Sequence, residues 1–141
     1  MFTIEQSYYI SYNFLSQYWN QIDQFRVYKS DDFTLSVVLS MRPAGLNIPN
    51  SSDPAKYEDW KEIVATKFTN HSQFTEADIF DLTIQFLKFH KDKFEFNLAS
   101  VLADMESAQT QVIWRKVVDI TTQAIADRSH ENVVHYEKFY D

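Results

Sequence analysis

Residues 2–15 read FTIEQSYYISYNFL, and residues 74–87 read FTEADIFDLTIQFL. The Phe-Thr pair that opens each stretch and the Phe-Leu pair that closes it recur at a constant offset of 72 in the numbering. Thr3 with Gln6 forms a capping-box pattern, and Asp78 places a carboxylate in the first turn, where it favours a helix N-terminus. The two stretches therefore predict two helices that begin alike, one in each half of the chain.

Two further blocks repeat in the same order. The pattern F-x-L-x-x-V-L of residues 33–39 recurs at residues 96–102, where the offset is 63. The pattern W-x-x-I-V of residues 60–64 recurs as W-x-x-V-V at residues 114–118, where the offset is 54. The offset falls by the same amount at each step, as expected when a duplicated unit keeps its packed elements and loses connecting loop.

This repetition predicts an all-α fold, a helical bundle of six to seven helices built from two degenerate three-helix repeats. We expect a single domain over residues 1–141, with repeat one at 1–70, repeat two at 71–128 and a C-terminal tail or short helix at 129–141. A chain of this length buries roughly 68–70% of the surface that its unfolded form exposes, so a sizeable core is expected.

Local signals indicate the remaining helices of the first repeat. Residues 33–41 also fit the alternation of a strand, but the equivalent segment 97–105 contains two alanines, which favour a helix in both copies. Asp53 suits an N-cap, and Pro54 suits the first position of the next helix, where its missing N–H costs nothing. The second repeat lacks this Asp-Pro pair.

The composition indicates a core built from large rings. The chain has 12 Phe, 8 Tyr and 3 Trp against a single Gly. Trp60 and Trp114 stand at equivalent places in the two repeats, so they are predicted to be core anchors rather than a binding platform. The single glycine also disfavours a glycine-rich phosphate-binding loop, which needs residues that tolerate positive φ.

The sequence contains no recognisable catalytic or metal-binding motif. It has no cysteine, and its four histidines lack the spacing that places two ligands on one helical face. We therefore predict no catalytic residues, no metal site and no cofactor. No apolar run approaches the roughly 20 residues that cross a bilayer, and the N-terminus lacks a secretory signal, so the expected location is the cytoplasm.

Net charge restricts the class of partner. The chain has 13 basic and 20 acidic residues, and its formal charge of −7 opposes direct binding to nucleic acid phosphates. The sequence therefore predicts no direct nucleic-acid contact and no membrane contact. An acidic chain favours a partner with a basic surface.

Five short motifs resemble those of a known group of proteins. They are Phe-Thr-x-Glu-Gln (2–6), Phe-Leu (14–15), Ser-Asp-Asp (30–32), Val-Val-Leu-Ser-Met (37–41) and Asp-Pro-Ala-x-x-x-Asp-Trp (53–60). Together they resemble small all-helical bacterial proteins of the polymorphic or contact-dependent toxin immunity type. The resemblance implies a cytoplasmic inhibitor that binds one cognate secreted toxin, often a nuclease, and occludes its active site or substrate groove.

Under this hypothesis, acidic side chains meet the cationic groove of the toxin. The predicted partner-binding residues are Asp31, Asp32, Glu58, Asp59, Glu62, Asp104 and Glu106. Glu58 and Glu62 lie one helical turn apart, a like-charge pair that costs a few tenths of a kcal/mol, while Lys61 is expected on a different face. Tyr9 and Tyr12 are expected to be exposed and to supply anchors.

Other interpretations stay open. Asp31 and Asp32 also suit a helix start, and Glu58 and Glu62 also suit an ordinary solvated helix face. The alternative function is a non-catalytic helical scaffold or oligomerisation module of unrelated cellular role, which would form homo-oligomers through its extra aromatic surface. A small enzyme that uses converging carboxylates is the third hypothesis.

Overall fold

The computed structural model describes residues 1–25, 35–41 and 54–127. Over these residues the chain forms six α-helices, one short 3-10 turn (Asp23–Phe25) and no strand. The helices are α1 (Ile4–Gln21), α2 (Leu35–Met41), α3 (Pro54–Lys67), α4 (Glu76–Phe94), α5 (Ala99–Asp104) and α6 (Ala108–Asp127). The predicted all-α class is confirmed for this part of the chain. None of these helices is long and apolar enough to cross a membrane.

Three helices bear on the sequence predictions. Residues 35–41 are helical, so the strand alternative for this segment is wrong. The third helix begins at Pro54, where the fixed φ of proline suits the first turn. At the start of α6, Ser107 Oγ accepts a hydrogen bond from the Thr110 N–H at 3.2 Å, so this helix has its own cap without an Asp-Pro pair. Outside the described residues lie Asp31, Asp32, Asp53 and the segment 129–141.

Threonine caps begin α1 and α4. Thr3 Oγ1 accepts a hydrogen bond from the Gln6 N–H at 3.2 Å, and the Thr3 N–H donates to Gln6 Oε1 at 2.9 Å. Thr75 and Asp78 form the same reciprocal box, with distances of 3.1 and 2.9 Å. Each box satisfies two N–H groups that have no carbonyl partner within the helix. The capping box predicted for Thr3 is confirmed.

Helix α1 is the central helix of the bundle. All of its residues from Ser7 to Leu15 are buried, and it contacts α2, α3, α4 and α6. Its buried polar side chains bond inside the protein: Asn13 Nδ2 donates to the Tyr9 carbonyl at 3.0 Å, and Ser7 Oγ donates to the Ile4 carbonyl at 2.6 Å. A helix with neighbours on every side has no solvent-exposed face over these turns.

Helices α3 and α4 form an antiparallel hairpin through residues 68–75. Near the connection, Lys67 Nζ lies 3.3 Å from Asp81 Oδ2. Toward the other end, Lys56 Nζ lies 2.9 Å from His90 Nε2. Residue numbers therefore decrease along α3 as they increase along α4, and the two contacts define which residues of the two helices lie opposite each other.

The two predicted tryptophan anchors are buried, with 0% of Trp60 and 4% of Trp114 exposed. Their ring contacts are all edge-on: Trp60 with Tyr8 (5.9 Å) and Phe86 (5.4 Å), and Trp114 with Phe80 (5.0 Å) and Phe14 (5.1 Å). Edge-on packing places the positive ring edge against a negative ring face, which adds to the burial of apolar area. The prediction that both tryptophans are core anchors is confirmed.

The starts of α1 and α4 are tied together. Phe2 and Phe74 form an antiparallel bridge in which each N–H donates to the other residue's carbonyl, at 2.9 and 2.8 Å. Deeper in the bundle, the hydroxyl groups of Ser11 and Thr83 are hydrogen-bonded to each other, with 3.0 Å between Oγ and Oγ1. Both contacts join positions that occupy the same place in the two repeated stretches.

Candidate functional site

Three of the predicted acids lie together on α3. Glu58 and Glu62 are exposed, and Asp59 between them is half-buried. We call Glu58, Asp59 and Glu62 the acidic ridge. Residues 58–62 thus carry three carboxylates and one ammonium group, that of Lys61.

Lys61 belongs to the ridge surface. Its Nζ lies 2.9 Å from Glu58 Oε1, an i,i+3 ion pair, and 5.0 Å from the centre of the Tyr57 ring. The prediction that Lys61 lies on a different face is wrong, because residues three apart on a helix are close neighbours. Glu58 is exposed and Lys61 is half-buried, so water screens the pair and it contributes little to stability. The Lys61 ammonium group does neutralise the charge of one ridge carboxylate, that of Glu58.

Asp104, at the end of α5, links three helices from within. Its half-buried carboxylate accepts a hydrogen bond from the Tyr18 hydroxyl at 2.9 Å and one from the Thr110 hydroxyl at 3.4 Å, both through Oδ2. Tyr18 lies on α1 and Thr110 on α6, so one oxygen atom holds the end of α5 against both. Glu106, two residues later, is exposed.

The ridge and Asp104 lie at different places on the bundle. Tyr57, next to Glu58, packs edge-on against Tyr8 with ring centroids 5.2 Å apart, whereas Asp104 binds Tyr18. Tyr8 and Tyr18 are ten residues apart on α1, which is about 15 Å along its axis. The structure therefore gathers the ridge into one patch and keeps Asp104 apart from it. The other two predicted acids, Asp31 and Asp32, lie outside the described residues.

Tyr9 and Tyr12 are buried, so the prediction that they are exposed anchors is wrong. Only 1% of Tyr9 and 4% of Tyr12 is exposed, because α1 is enclosed over these turns. Burial, followed by the charge of Glu5, raises the pKa of Tyr9. Burial, followed by the charges of Glu5 and Glu58, raises the pKa of Tyr57 to about 12. The hydroxyls of Tyr9 and Tyr57 therefore stay protonated at neutral pH and belong to the interior.

A buried ionisable pair, which no sequence motif indicates, joins α3 to α4. Lys56 and His90 are 7% and 0% exposed, and Lys56 Nζ lies 2.9 Å from His90 Nε2. His90 Nδ1 lies 2.8 Å from the Phe86 carbonyl, which only accepts, so Nδ1 carries the proton and Nε2 accepts from the lysine. Burial lowers the pKa of His90 to about 4, against the opposing effect of the Phe86 hydrogen bond and with a further lowering by the Lys56 charge.

Aromatic rings surround this pair. Lys56 Nζ lies 4.2 Å from the centre of the Phe94 ring, and the Phe96 ring stacks on His90 with centroids 6.0 Å apart. The negative face of an aromatic ring attracts an ammonium group, which favours the buried position of the lysine. One sequence signal could have identified this lysine: it lies one helical turn before Trp60, a core residue, and so shares the buried face of α3.

A groove of about 440 Å³ runs along the surface of the α3–α4 hairpin, and we call it the hairpin groove. Ile63 and Phe89, both half-buried, form its floor. Its rim carries two acidic and two basic side chains, Glu62, Lys67, Lys88 and Asp92. Lys67 pairs with Asp81, whereas Glu62 and Lys88 make no ion pair within the described part of the chain.

Among the described residues, no group of three or more His, Asp or Glu side chains is arranged to hold a metal ion. His71 is exposed, and its Nδ1 lies 3.1 Å from the Thr69 carbonyl oxygen. His90 is bonded through both ring nitrogens, as described above. The other two histidines, His130 and His135, lie outside the described residues.

No protein-family model matches the chain, and comparison with the curated proteins and with the solved structures finds no match. The resemblance to toxin immunity proteins therefore rests on the five motifs quoted above. Within the described residues, the features from which a function can be inferred are the acidic ridge, the Lys56–His90 pair and the hairpin groove.

Proposed function

We propose that this protein is an immunity protein that binds and neutralises a cognate secreted bacterial toxin in the cytoplasm of the producing cell. The resemblance of its motifs supports this function, and the acidic ridge on α3 is the observation that carries it. Glu58 and Glu62 are exposed and lie one turn apart, which is an unfavourable like-charge arrangement. Lys61 forms an ion pair with Glu58 and not with Glu62. Cations supplied by a partner would complete the neutralisation.

The proposed toxin is a nuclease with a basic substrate groove. Such a groove binds phosphates through Lys and Arg side chains, and the ridge carboxylates carry the same negative sign of charge as those phosphates. Neutralisation is by occlusion, because the inhibitor occupies the groove and no catalytic step is required. A net charge of −7 also attracts a basic toxin from a distance, which raises association rates toward about 10⁸–10⁹ M⁻¹s⁻¹ at low salt.

The remaining predicted acids have different roles in this proposal. Asp104 acts indirectly, because its carboxylate holds the end of α5 against Tyr18 and Thr110. Glu106 is exposed and gives a second contact point, separate from the ridge. Asp31 and Asp32 stay predicted contacts, outside the described residues.

Coexpression with the product of the adjacent toxin-like gene tests this function. We expect the two proteins to co-purify and the inhibitor to protect cells from the toxin. Glu58→Lys reverses one ridge charge without touching the hairpin groove, and it should weaken binding about tenfold, which corresponds to about 1.4 kcal/mol. Asp119→Lys, an equal charge change on the exposed surface of α6, should leave binding unchanged.

Two results would count against the proposal. A wild-type chain that neither co-purifies with the toxin nor protects the cell would remove the function itself. Wild-type binding by Glu58→Lys, with protection intact, would keep the function and remove the ridge as the contact surface.

We further propose that the chain consists of two degenerate three-helix repeats, residues 1–70 and 71–128, related by an internal twofold axis. The Phe2–Phe74 bridge and the Ser11–Thr83 hydrogen bond support this relationship. A residue meets its own counterpart only beside a twofold axis, as in symmetric dimers.

The tryptophan contacts support the same symmetry. Trp60 packs on Tyr8 and Phe86, and Trp114 packs on Phe80 and Phe14. At the offset of 72, Tyr8 corresponds to Phe80 and Phe14 to Phe86. At the offset of 54, Trp60 corresponds to Trp114. Exchanging each residue for its counterpart therefore converts the contacts of Trp60 into those of Trp114.

The helix starts obey the same two offsets. Helices α1 and α4 begin at Ile4 and Glu76, which are related as Phe2 is to Phe74. Helices α3 and α6 begin at Pro54 and Ala108, which are related as Trp60 is to Trp114. The boundaries of the helices therefore agree with the repeat that the sequence indicates.

The two predicted repeats differ in one set of buried polar contacts. At the positions equivalent to Lys56 and His90, the second repeat has Thr110 and Tyr18, which share the carboxylate of Asp104. One repeat thus keeps a buried cation beside a neutral imidazole, and the other keeps an acid between two hydroxyls.

Exchanging the Ser11 and Thr83 side chains tests the internal twofold. With such an axis, Ser11→Thr combined with Thr83→Ser recreates the same pair, and the free energy of unfolding should stay within about 0.5 kcal/mol of wild type. Thr83→Val, the control, leaves Ser11 without this partner and should cost about 1–3 kcal/mol. A loss above about 1 kcal/mol in the exchanged protein, from overpacking at position 11, would contradict the symmetry.

A further inference from the structure

The start of α1 packs against the first two turns of α3. Trp60 Nε1 donates a hydrogen bond to Ser7 Oγ at 3.1 Å, and the Tyr57 ring packs edge-on against the Tyr8 ring with centroids 5.2 Å apart. Glu5 precedes Tyr8 by three residues, a spacing that places both side chains on the same side of α1. Because Glu5 is exposed, it lies at the surface where α1 meets the exposed acids of α3.

Tyr57 lies close to acids of both helices, and its hydroxyl is unused. Only 5% of Tyr57 is exposed, yet its hydroxyl makes no hydrogen bond within the described part of the chain, and its oxygen is not fully enclosed. The pKa of Tyr57 is raised to about 12, by burial first and then by the charges of Glu5 and Glu58, so both carboxylates are near this hydroxyl. A polar side chain so nearly buried normally has a hydrogen-bond partner, so the hydroxyl points to a group from outside the chain.

A cation of the chain itself already lies beside this hydroxyl. Lys61 Nζ is 2.9 Å from Glu58 Oε1 and 5.0 Å from the centre of the Tyr57 ring. The Lys61 and Glu58 side chains are 41% and 69% exposed, so water can replace their ion pair at little cost. Glu5 has no ion-pair partner among the residues that the structure describes. The lysine therefore neutralises one acid and leaves the other acid and the hydroxyl unmatched.

We propose that Glu5, Tyr57 and Glu58 form a binding site for an arginine side chain of a protein partner, and that this arginine displaces Lys61. A guanidinium group is planar and carries five N–H donors. Two of them bond the Glu58 carboxylate as a fork, a third reaches the Tyr57 hydroxyl oxygen, and Glu5 adds a second negative charge. The identity of the partner as the toxin rests on the proposed function, whereas the arginine site rests on these contacts.

Arginine fits this site better than lysine does. An ammonium group is a compact, strongly hydrated charge, and Lys61 pairs only with Glu58. A guanidinium group is wider and less strongly hydrated, so it can contact both helices at once. A toxin that binds phosphates through arginine carries such side chains in its groove. The site thus extends the contact surface from the acidic ridge on α3 onto α1.

Binding of a short arginine peptide to the full chain tests the site without any toxin. The probes are acetyl-Gly-Arg-Gly-amide and acetyl-Gly-Lys-Gly-amide, which carry the same charge. Proton–nitrogen NMR at low salt follows the backbone amides of Glu5, Tyr57 and Glu58. We expect saturable shifts at these amides, a dissociation constant on the order of 1 mM for the arginine peptide, and binding at least about threefold weaker for the lysine peptide.

Two variants distinguish this site from general attraction to an acidic protein. Tyr57→Phe keeps the ring and removes the hydroxyl, and it should weaken arginine binding about threefold. Lys61→Ala removes the cation that must be displaced, and it should tighten arginine binding about threefold. The control is Lys116→Ala, the same charge change at an exposed position of α6, which should alter binding less than about 1.5-fold. Circular dichroism of each variant confirms that it is folded.

Several results would overturn the site. They are equal binding of the two peptides, shifts that spread over the acidic surface without saturation, wild-type binding by Tyr57→Phe, and Lys61→Ala binding no more tightly than Lys116→Ala. A toxin that binds the chain although the arginine peptide does not would remove the site and keep the proposed function. An arginine peptide that binds here, with a chain that neither binds the toxin nor protects against it, would keep the site and remove that function.

Discussion

His90 is held neutral in the interior between the Lys56 ammonium group and the Phe86 carbonyl. The unfolded chain protonates this imidazole near its ordinary pKa of 6.5, whereas the folded chain does so near 4. Between these values the unfolded state binds more protons, so stability is full above pH 6.5 and falls as the pH drops toward 4. The shift corresponds to a loss of about 3 kcal/mol across this window.

Urea unfolding at steps between pH 7 and pH 4.5 measures this dependence. His90→Gln keeps a hydrogen-bonding side chain that does not titrate, and it should remove most of the decline that wild type shows. His71→Gln changes an exposed histidine and should leave the decline intact. A decline that persists unchanged in His90→Gln would show that other groups cause it.

Asp104 gives a second prediction for a single residue. Asp104→Asn keeps the shape of the side chain and replaces the charge-assisted acceptor of the Tyr18 hydroxyl with a neutral one. We expect a loss of about 1–2 kcal/mol in the free energy of unfolding, measured in urea at pH 7. Glu106→Gln removes an exposed charge two residues away and should change it by less than about 0.5 kcal/mol.

Sequence spacing predicted some of these contacts and missed others for a physical reason. Thr3 and Gln6 are three residues apart, so helix geometry alone brings their groups together. Lys56 and His90 are 34 residues apart and meet only because the α3–α4 hairpin adopts one register. Likewise, the burial of Tyr9 and Tyr12 depends on the helices that surround α1, and the local sequence does not show where those helices lie.

At the scale of elements, the two threonine caps give a matched prediction. Thr3→Ala and Thr75→Ala each remove the acceptor for an N3 backbone N–H, and each should cost about 1 kcal/mol. Thermal or urea unfolding measures both variants and their combination. Thr122→Ala, at an exposed position inside α6, is the control and should be neutral or slightly stabilising. A cost below about 0.3 kcal/mol in both cap variants would contradict the role given to the boxes.

Helix identity followed from the sequence where the two predicted repeats could be compared. Residues 35–41 fit a strand or a helix by themselves, and the alanines of the equivalent segment favoured the helix that is observed. Comparison of this kind says nothing about which helix is central. That property depends on which elements contact α1 in space, and four other helices do so.

For the whole molecule, we predict one cooperative unit. Trp60 and Trp114 pack against residues of both α1 and α4, so neither predicted repeat keeps its core without the other. Two variants with one tryptophan each, Trp19→Phe/Trp114→Phe and Trp19→Phe/Trp60→Phe, report on the two sides separately. In each, urea midpoints from fluorescence and from far-UV circular dichroism should agree within about 0.2 M. Separated midpoints would indicate two independently unfolding units.

The order of the blocks in the sequence indicated the helices and the tryptophan anchors, because packed positions vary less than the surface loops between them. The relative positions of the predicted partner-binding acids could not be predicted from the sequence in the same way. Glu58, Asp59 and Glu62 share one helix and stayed together, whereas Asp104 lies on another element, and its distance from them depends on how α5 packs. Charge alone cannot distinguish an acid such as Asp104, bound by two hydroxyls, from an exposed one.

The central position of α1 also has a consequence for synthesis. Helix α1 is synthesised before the other helices of the bundle, yet the rings that enclose it include those of Trp60, Phe86 and Trp114, and Trp114 is made about a hundred residues later. Contacts between residues so distant in sequence form slowly, and a helix that waits for them exposes its apolar side chains meanwhile. The nascent chain must therefore keep its most aromatic segment soluble until α6 emerges, and chaperone demand during translation should be highest over that interval.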